Sequence, residues 1–186
     1  MTKHEVCPWW MGYVLASPLR KFLQDPARLL APYVRPGMNV LEPGPGMGFF
    51  TLELARLVGP TGRVVALDVE PRMIEGLKRR AARAGLLERI DARTVCANSM
   101  GVGDLDGTID FTFAFAAVHE MPSADRFFAE AAHAMKSGAA LLLAEPAGHV
   151  ADTDFDAELS AGKAHGLEVS ERFSMPRCSA ALLRKI

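Results

Sequence analysis

The chain has 186 residues, 49% of them hydrophobic and 23% charged, with a formal net charge of −1. That length and apolar content describe a single globular domain with a sizeable core and exclude a disordered tail. Mixed charges of near-zero sum leave no electrostatic footprint for a nucleic acid or an anionic membrane, so neither is expected as a partner. Cys7, Cys96 and Cys178 lie far apart in the sequence. They read as reduced thiols rather than a disulfide framework and offer no zinc-ligand spacing, so no metal is expected.

After Lys3 comes "CPWWMGYVLASPL", apolar but broken by two prolines and a glycine and too short to span a bilayer. The protein therefore reads as soluble and cytoplasmic. Residues 1–24 form an N-terminal lid or cap, and 25–186 form the core. As a lid the segment would bring Trp9, Trp10 and Tyr13 to an acceptor site as aromatic walls. As an apolar patch it would pack on a sheet edge or on a second copy, giving a homodimer.

From Asp25 the elements alternate. "DPARLLAPYV" opens with an Asp cap and Pro26, and Pro32 ends or kinks it. The strand "NVLEP" and the helix "FFTLELARLV" follow, stopped at Gly59-Pro60. "RVVALDV" is a buried strand, and "PRMIEGLKRRAARAG" a helix with Met73, Leu77, Ala81 and Ala84 on one face. "RIDARTVCAN" reads as a strand containing Cys96, and "TIDFTFAFAAV" as another; the intervening "SMGVGDLDG" is too rich in small residues for the helix expected there. "SADRFFAEAAHAMKSG" is a helix closed by Gly138, "AALLLAEP" a strand buried on both faces, and "DTDFDAELSAGKAHG" a helix with a capping acid. "LEVSERFS" and "SAALLRKI" are joined too closely for a crossover and must pair antiparallel. The result is an α/β fold: a doubly wound, Rossmann-like, mostly parallel seven-stranded sheet with an antiparallel last strand. Ligands of such sheets sit beyond the carboxyl ends of the strands.

The first strand ends in Glu42-Pro43-Gly44-Pro45-Gly46-Met47-Gly48. The dinucleotide pattern G-x-G-x-x-G fails, because the sixth position counted from Gly44 is Phe49. The pattern is instead E-x-G-x-G-x-G. An acid before the turn repels a pyrophosphate and suits an ammonium group. Asp68 ends the second strand, 20 residues after Gly48, where ribose hydroxyls are commonly held. An amino group near Glu42 and a ribose near Asp68 describe an aminoacyl nucleoside without phosphates, a description that S-adenosylmethionine meets.

"VLEPGPGMG" resembles motif I of the class I S-adenosylmethionine-dependent methyltransferases. "VVALDVEPRMIE" is similar to their second-strand acidic motif, and "FFAEAAHAMKSGAALLLAEP" to their late helix–Gly–strand motif. The likeness runs from about Gly37 to the C-terminus. It implies that Gly44, Pro45, Gly46 and Gly48 line the methionine part, that Asp68 holds the ribose and that Val69 flanks the adenine. It also places Ser99 and Phe115 in the cofactor set. Where many members carry an aspartate after the third strand, this chain has Asn98, whose amide oxygen still accepts from the adenine amino group.

Catalysis is less marked. Methyl transfer from a sulfonium is largely a matter of positioning, and a base is needed only if the acceptor must lose a proton. His119, Glu120, Glu145 and His149 stand at strand ends where a base would sit; Glu120 and Glu145 would otherwise orient these imidazoles or form ordinary hydrogen bonds. The three thiols also leave room for a metalloid acceptor. The reading is therefore a methyltransferase acting on a small molecule. A non-catalytic S-adenosylmethionine-binding module and an NAD-dependent oxidoreductase stand as alternatives.

Overall fold

The computed structural model describes residues 25–186, so the expectations for Cys7, Trp9, Trp10 and Tyr13 lie outside the described residues. The described chain divides into two compact units, one ending at Val95 and the other running from Cys96 to Ile186.

In the first unit, Asp25 caps α1 (Pro26–Leu30) by accepting from the N–H groups of Ala27 and Arg28 at 3.0 and 3.3 Å. Three parallel strands follow: β1 (Asn39–Pro43), β2 (Arg63–Asp68) and β3 (Ile90–Thr94). Val64, Val65, Ala66 and Leu67 are all buried, which explains why β2 reads as a continuous apolar run rather than an alternation. The helix α2 (Thr51–Leu57) begins two residues later than expected from "FFTLELARLV", because Phe49 and Phe50 stay in the turn, edge to face at 5.0 Å. The helix α3 (Pro71–Arg83) buries Met73, Ile74, Leu77 and Ala81 at helical spacing and is capped by Glu70, whose carboxylate accepts from Arg72 N–H. β3 stops at Thr94, short of the expected strand end. Cys96 lies beyond it, exposed, in an isolated bridge with Ser99 rather than inside a strand.

The second unit holds β4 (Ile109–Phe115), α4 (Ala124–Ala134), β5 (Met135–Pro146), α5 (Asp152–Ala164), β6 (Leu167–Met175) and β7 (Cys178–Lys185). Between β3 and β4 there is only a short 3-10 turn, Gly103–Leu105, in keeping with the small residues there. The helix expected to run to Gly138 ends at Ala134. Met135 turns extended, is fully buried and pairs with Ile109, so pairing and burial override the helical pattern of "AHAMKSG". The register then shifts to Phe111 opposite Ala140, and Gly138, at φ +76°, takes up the irregularity. α5 has no capping acid: Ala151 is its N-cap, while Asp152 and Asp154 lie in the first turn, where the helix dipole favours them.

β7 runs antiparallel to both β5 and β6, with Leu182 opposite Leu142. The seven strands form one mixed sheet in the order β3-β2-β1-β4-β5-β7-β6, the expected doubly wound, mostly parallel architecture. Phe111, Phe113, Leu141, Leu142 and Leu143 fill the core of the second unit. At Gly162, a Cβ would come within 3.0 Å of Leu183 and 3.3 Å of Phe128, so α5 sits closely on β7 and α4 because that residue has no side chain.

Candidate active site

β1 carries Glu42 into the interior and ends at the glycine turn. Glu42 is 3% exposed, and its Oε2 is buried without a hydrogen-bond partner among the described residues. Burial pushes its carboxyl up from 4.5 to about 8; the nearby Thr51 hydroxyl offsets part of this, and the charge of Asp68 adds to it. The Thr51 influence is one of proximity, since Thr51 Oγ1 also lacks a hydrogen bond of normal geometry. A neutral acid held dry with an unpaired oxygen is an unfavourable arrangement by itself, and a cationic group placed against it would relieve it.

Two glycines give the turn its shape. Gly46 has φ +52°, and no atom of the described residues lies within 4 Å of where a Cβ would stand, so that face of the turn is open among them. Gly48 has φ +82°, and a Cβ there would collide with Leu77 of α3. Arg80 of α3 donates to the Met47 carbonyl, while the N–H groups of Gly44 and Gly48 donate to Leu67 and Pro45 oxygens, each at 2.9 Å. Pro45 is buried. The turn is thus braced from α3 and β2, with Gly44 exposed and Gly46 half-buried.

Pro43 pairs with Leu67 in the β1–β2 register, so Asp68 and Val69 emerge beside the glycine turn. Asp68 Oδ1 accepts from Glu70 N–H at 2.9 Å, so this side chain also shapes the entry into α3. Val69 is an exposed apolar residue next to it.

In the second unit, Asn98 is exposed and Ser99 half-buried on the loop after β3. Glu130 of α4 holds that loop: its Oε2 accepts from Ser99 Oγ at 3.2 Å and from Met100 N–H at 2.7 Å. Phe115 ends β4, its ring 6.0 Å from that of Phe113. His119 and Glu120 follow in the 3-10 turn Val118–Glu120.

Here the structure joins residues that are distant in sequence. Glu145, near the end of β5 and fully buried, places Oε2 2.5 Å from His119 Nδ1 and accepts from Val118 N–H at 2.8 Å through Oε1. The hydrogen bond to Glu145 raises the His119 pKa above 6.5; burial opposes this, and the charges of Glu145, Glu120 and Glu158 reinforce it. The exposed His149 ring lies 6.4 Å from that of His119.

Glu158 of α5, which the sequence reading missed, joins this group. It is 7% exposed, with Oε2 unpaired among the described residues, and burial followed by the Glu145 charge pushes its carboxyl up to about 8. A signal was present: Phe155, Glu158, Leu159 and Gly162 share the buried stripe of α5, so the acid occupies a core position. Among the described residues no cluster of three or more His, Cys, Asp or Glu is placed to hold a metal, and Cys178 is buried in β7 while Cys96 is exposed.

Residues 40–138 match the family model described as a methyltransferase domain. A protein-L-isoaspartate O-methyltransferase of Triticum aestivum is 40% identical over 60 residues, 30% of this chain and 26% of that protein. A ubiquinone/menaquinone biosynthesis C-methyltransferase of Pasteurella multocida is 28% identical over 112 residues, 60% of this chain and 41% of that protein. The chain thus spans only 26% and 41% of the length of these two relatives. In fold it is similar to an S-adenosylmethionine-dependent methyltransferase from Aquifex aeolicus, with TM-score 0.85 and 23% identity over 97% of this chain and 100% of that one. It is likewise similar to the geranyl diphosphate C-methyltransferase of Streptomyces coelicolor, solved with S-adenosyl-L-homocysteine, at TM-score 0.72 and 11% identity over 90% of this chain and 82% of that one. With more than half its length matched by the family model, and with the sheet order found here, the chain belongs to the methyltransferase-domain family of class I, S-adenosylmethionine-dependent type.

Proposed function

We propose that the chain acts as one methyltransferase domain that binds S-adenosylmethionine and methylates a small-molecule acceptor in the cytoplasm. The observation that carries the cofactor reading is the buried Glu42 carboxyl, whose Oε2 has no hydrogen-bond partner among the described residues, next to Gly46, whose Cβ position meets no described atom within 4 Å. Those residues fit the group: Glu42 would take its ammonium, Gly44 and Gly46 would let its methionine part approach the backbone, and Gly48 lets the turn close on α3. Asp68 would hold the ribose, Val69 would flank the adenine and Asn98 would accept from its amino group, with Ser99 and Phe115 as further members of the proposed cofactor set. When bound, S-adenosylmethionine supplies an electrophilic methyl group whose bonding pair returns to sulfur on transfer.

The chain's own residues bind, orient and manage protons. His119, with Glu120 and His149 beside it, is the candidate acid–base group. No helix among the described residues is long and apolar enough to cross a membrane, and with a net charge of −1 a diffusible acceptor fits better than a polyanion.

The test is calorimetric titration of the full chain with S-adenosylmethionine, S-adenosylhomocysteine and NAD. Binding of both sulfur nucleosides with none of NAD is expected. A folded, ligand-free protein that binds neither nucleoside would overturn the reading. Binding without methyl transfer to any acceptor would leave only a cofactor-binding module.

A further inference from the structure

The second unit contains buried acids that cofactor binding does not use. Both oxygens of Glu145 are committed, one to the Val118 N–H and the other to His119 Nδ1. The same carboxylate therefore anchors the backbone turn that carries the histidine and the ring itself. With Nδ1–H donating to the carboxylate, the neutral ring keeps its lone pair on Nε2, which makes no hydrogen bond to any described residue. The ring is 21% exposed, so that nitrogen has access to water or to a ligand. Glu158, on α5, acts electrostatically on both members of the pair and has a buried oxygen that no described protein group satisfies. The charged and titratable groups facing His119 are Glu145 from β5, Glu120 from its own turn and Glu158 from α5, with His149 6.4 Å away; Asp154 acts on Glu158.

We propose that Glu145, His119 and Glu158 form a proton-accepting cluster for an acceptor that reacts through a weakly acidic hydroxyl, such as a phenol or an enol. His119 Nε2 takes the proton, Glu145 is the positioning residue that presents Nε2 outward, and Glu158 is a buried acid that tunes the ring. This rests on the methyl-transfer reading above. In the step, the O–H bond breaks and an N–H bond forms at Nε2. The pair left on oxygen is the one that takes up the methyl group, and the proton later passes to water from the part-exposed ring.

A hydroxyl is favoured because a neutral amine has a free lone pair and needs no base, whereas a hydroxyl acquires its nucleophilic charge only as the proton leaves. A histidine made more basic by a carboxylate is matched to such a weak acid. The imidazolium it becomes is neutralised by Glu145. The Glu158 charge shifts the ring in the same direction as that of Glu145.

The experiment is a pH titration of the histidine ring signals by NMR in the cofactor-free full chain, with His119→Gln for assignment. His119 should titrate above its ordinary value in wild type, lower in Glu158→Gln and lowest in Glu145→Gln. The nitrogen shifts of wild type alone should show a neutral form protonated at Nδ1, a measurement that survives if Glu145→Gln fails to fold. An Nε2–H tautomer, or a midpoint unmoved by Glu145→Gln, would overturn the cluster. In turnover with a panel of hydroxyl, amine and thiol acceptors, Glu145→Gln should move the rising limb of kcat against pH to lower pH, in step with the ring, and leave S-adenosylmethionine affinity unchanged. Turnover confined to amines or thiols would overturn the acceptor class. Failure of wild type to bind S-adenosylmethionine would instead overturn the underlying reading, and the ring titration would be unaffected by it.

Discussion

Replacing Glu42 with glutamine separates the charge of this residue from its shape. In the folded protein the Glu42 carboxyl is lifted from 4.5 to about 8, first by burial. In the unfolded chain it ionises at its ordinary value, so between those pH values the folded state holds a proton that the unfolded state has released. Stability from this group is therefore lost as pH rises from about 4.5 to about 8 and is level beyond. By linkage the unfavourable contribution is under about 1 kcal/mol at pH 5, about 3 at pH 7 and about 4 at pH 8. The Glu42→Gln side chain cannot ionise and lacks this slope, but it leaves a buried amide unpaired, a pH-independent loss of about 1–3 kcal/mol. The Glu158 and His119 contributions are common to both proteins and cancel in the difference. Urea unfolding at pH 5, 6, 7 and 8 should show the variant gaining about 3 kcal/mol on wild type across that range, with an unchanged m-value. Parallel stability curves, within about 0.5 kcal/mol, would show that Glu42 ionises normally and would remove the physical basis for an ammonium site. In the cofactor titration, wild-type affinity should rise toward pH 8 as Glu42 ionises against the ligand cation, and the variant should bind weakly with no such rise.

Other substitutions probe the turn and its supports. Gly46→Ala meets no atom of the described residues, so its stability loss should be about 1 kcal/mol, from backbone angle, yet S-adenosylmethionine binding should fall at least tenfold. Undiminished affinity would mean that the open face is not a ligand surface. Gly48→Ala forces Leu77 of α3 aside and should lower stability by about 2–4 kcal/mol, read by thermal unfolding; a neutral effect would contradict the packing. Asp68→Asn should weaken the cofactor by about 1–3 kcal/mol through the ribose bonds while its side-chain oxygen still accepts from Glu70 N–H; equal loss of stability and affinity would assign it to the turn alone. Glu130→Ala removes the acceptor of Ser99 Oγ and Met100 N–H, and hydrogen exchange over 96–101 should rise without a change in the β5 core.

What was legible in the sequence is what local pattern encodes. Parallel strands buried on both faces announce themselves as apolar runs, and a turn that needs positive φ announces itself by glycine, so β1, β2 and the turn between β1 and α2 are legible in the sequence. Boundaries failed where tertiary contacts override helical pattern. Met135 has the spacing of an α4 residue, but pairing with Ile109 in a fully buried position outweighs one more helical turn, and nothing within "AHAMKSG" reports the partner.

The same asymmetry divides the candidate site. Glu42 and Asp68 lie at the ends of two strands, and Gly44, Gly46 and Gly48 follow in the turn after the first, so their grouping was legible. The acid–base cluster instead depends on three separate elements, the turn after β4, β5 and α5, which bring residues 119, 145 and 158 together. Sequence alone offered His119 and His149 as bases with Glu120 and Glu145 as acids that would orient them, but it could not state which acid meets which ring or which ring nitrogen it holds. That choice decides the chemistry: with Nδ1 tied to Glu145, Nε2 is the atom that meets an acceptor, whereas the reverse arrangement would have turned the basic nitrogen inward. Glu158 was passed over because acids on a helix are usually solvated. It sits on the stripe of Phe155, Leu159 and Gly162, and burying an ionisable group there without a partner is unfavourable unless the position does something other than fill the core. A leucine would serve packing better. The acid at that position is therefore an argument for a function in the second unit that is independent of the glycine turn in the first.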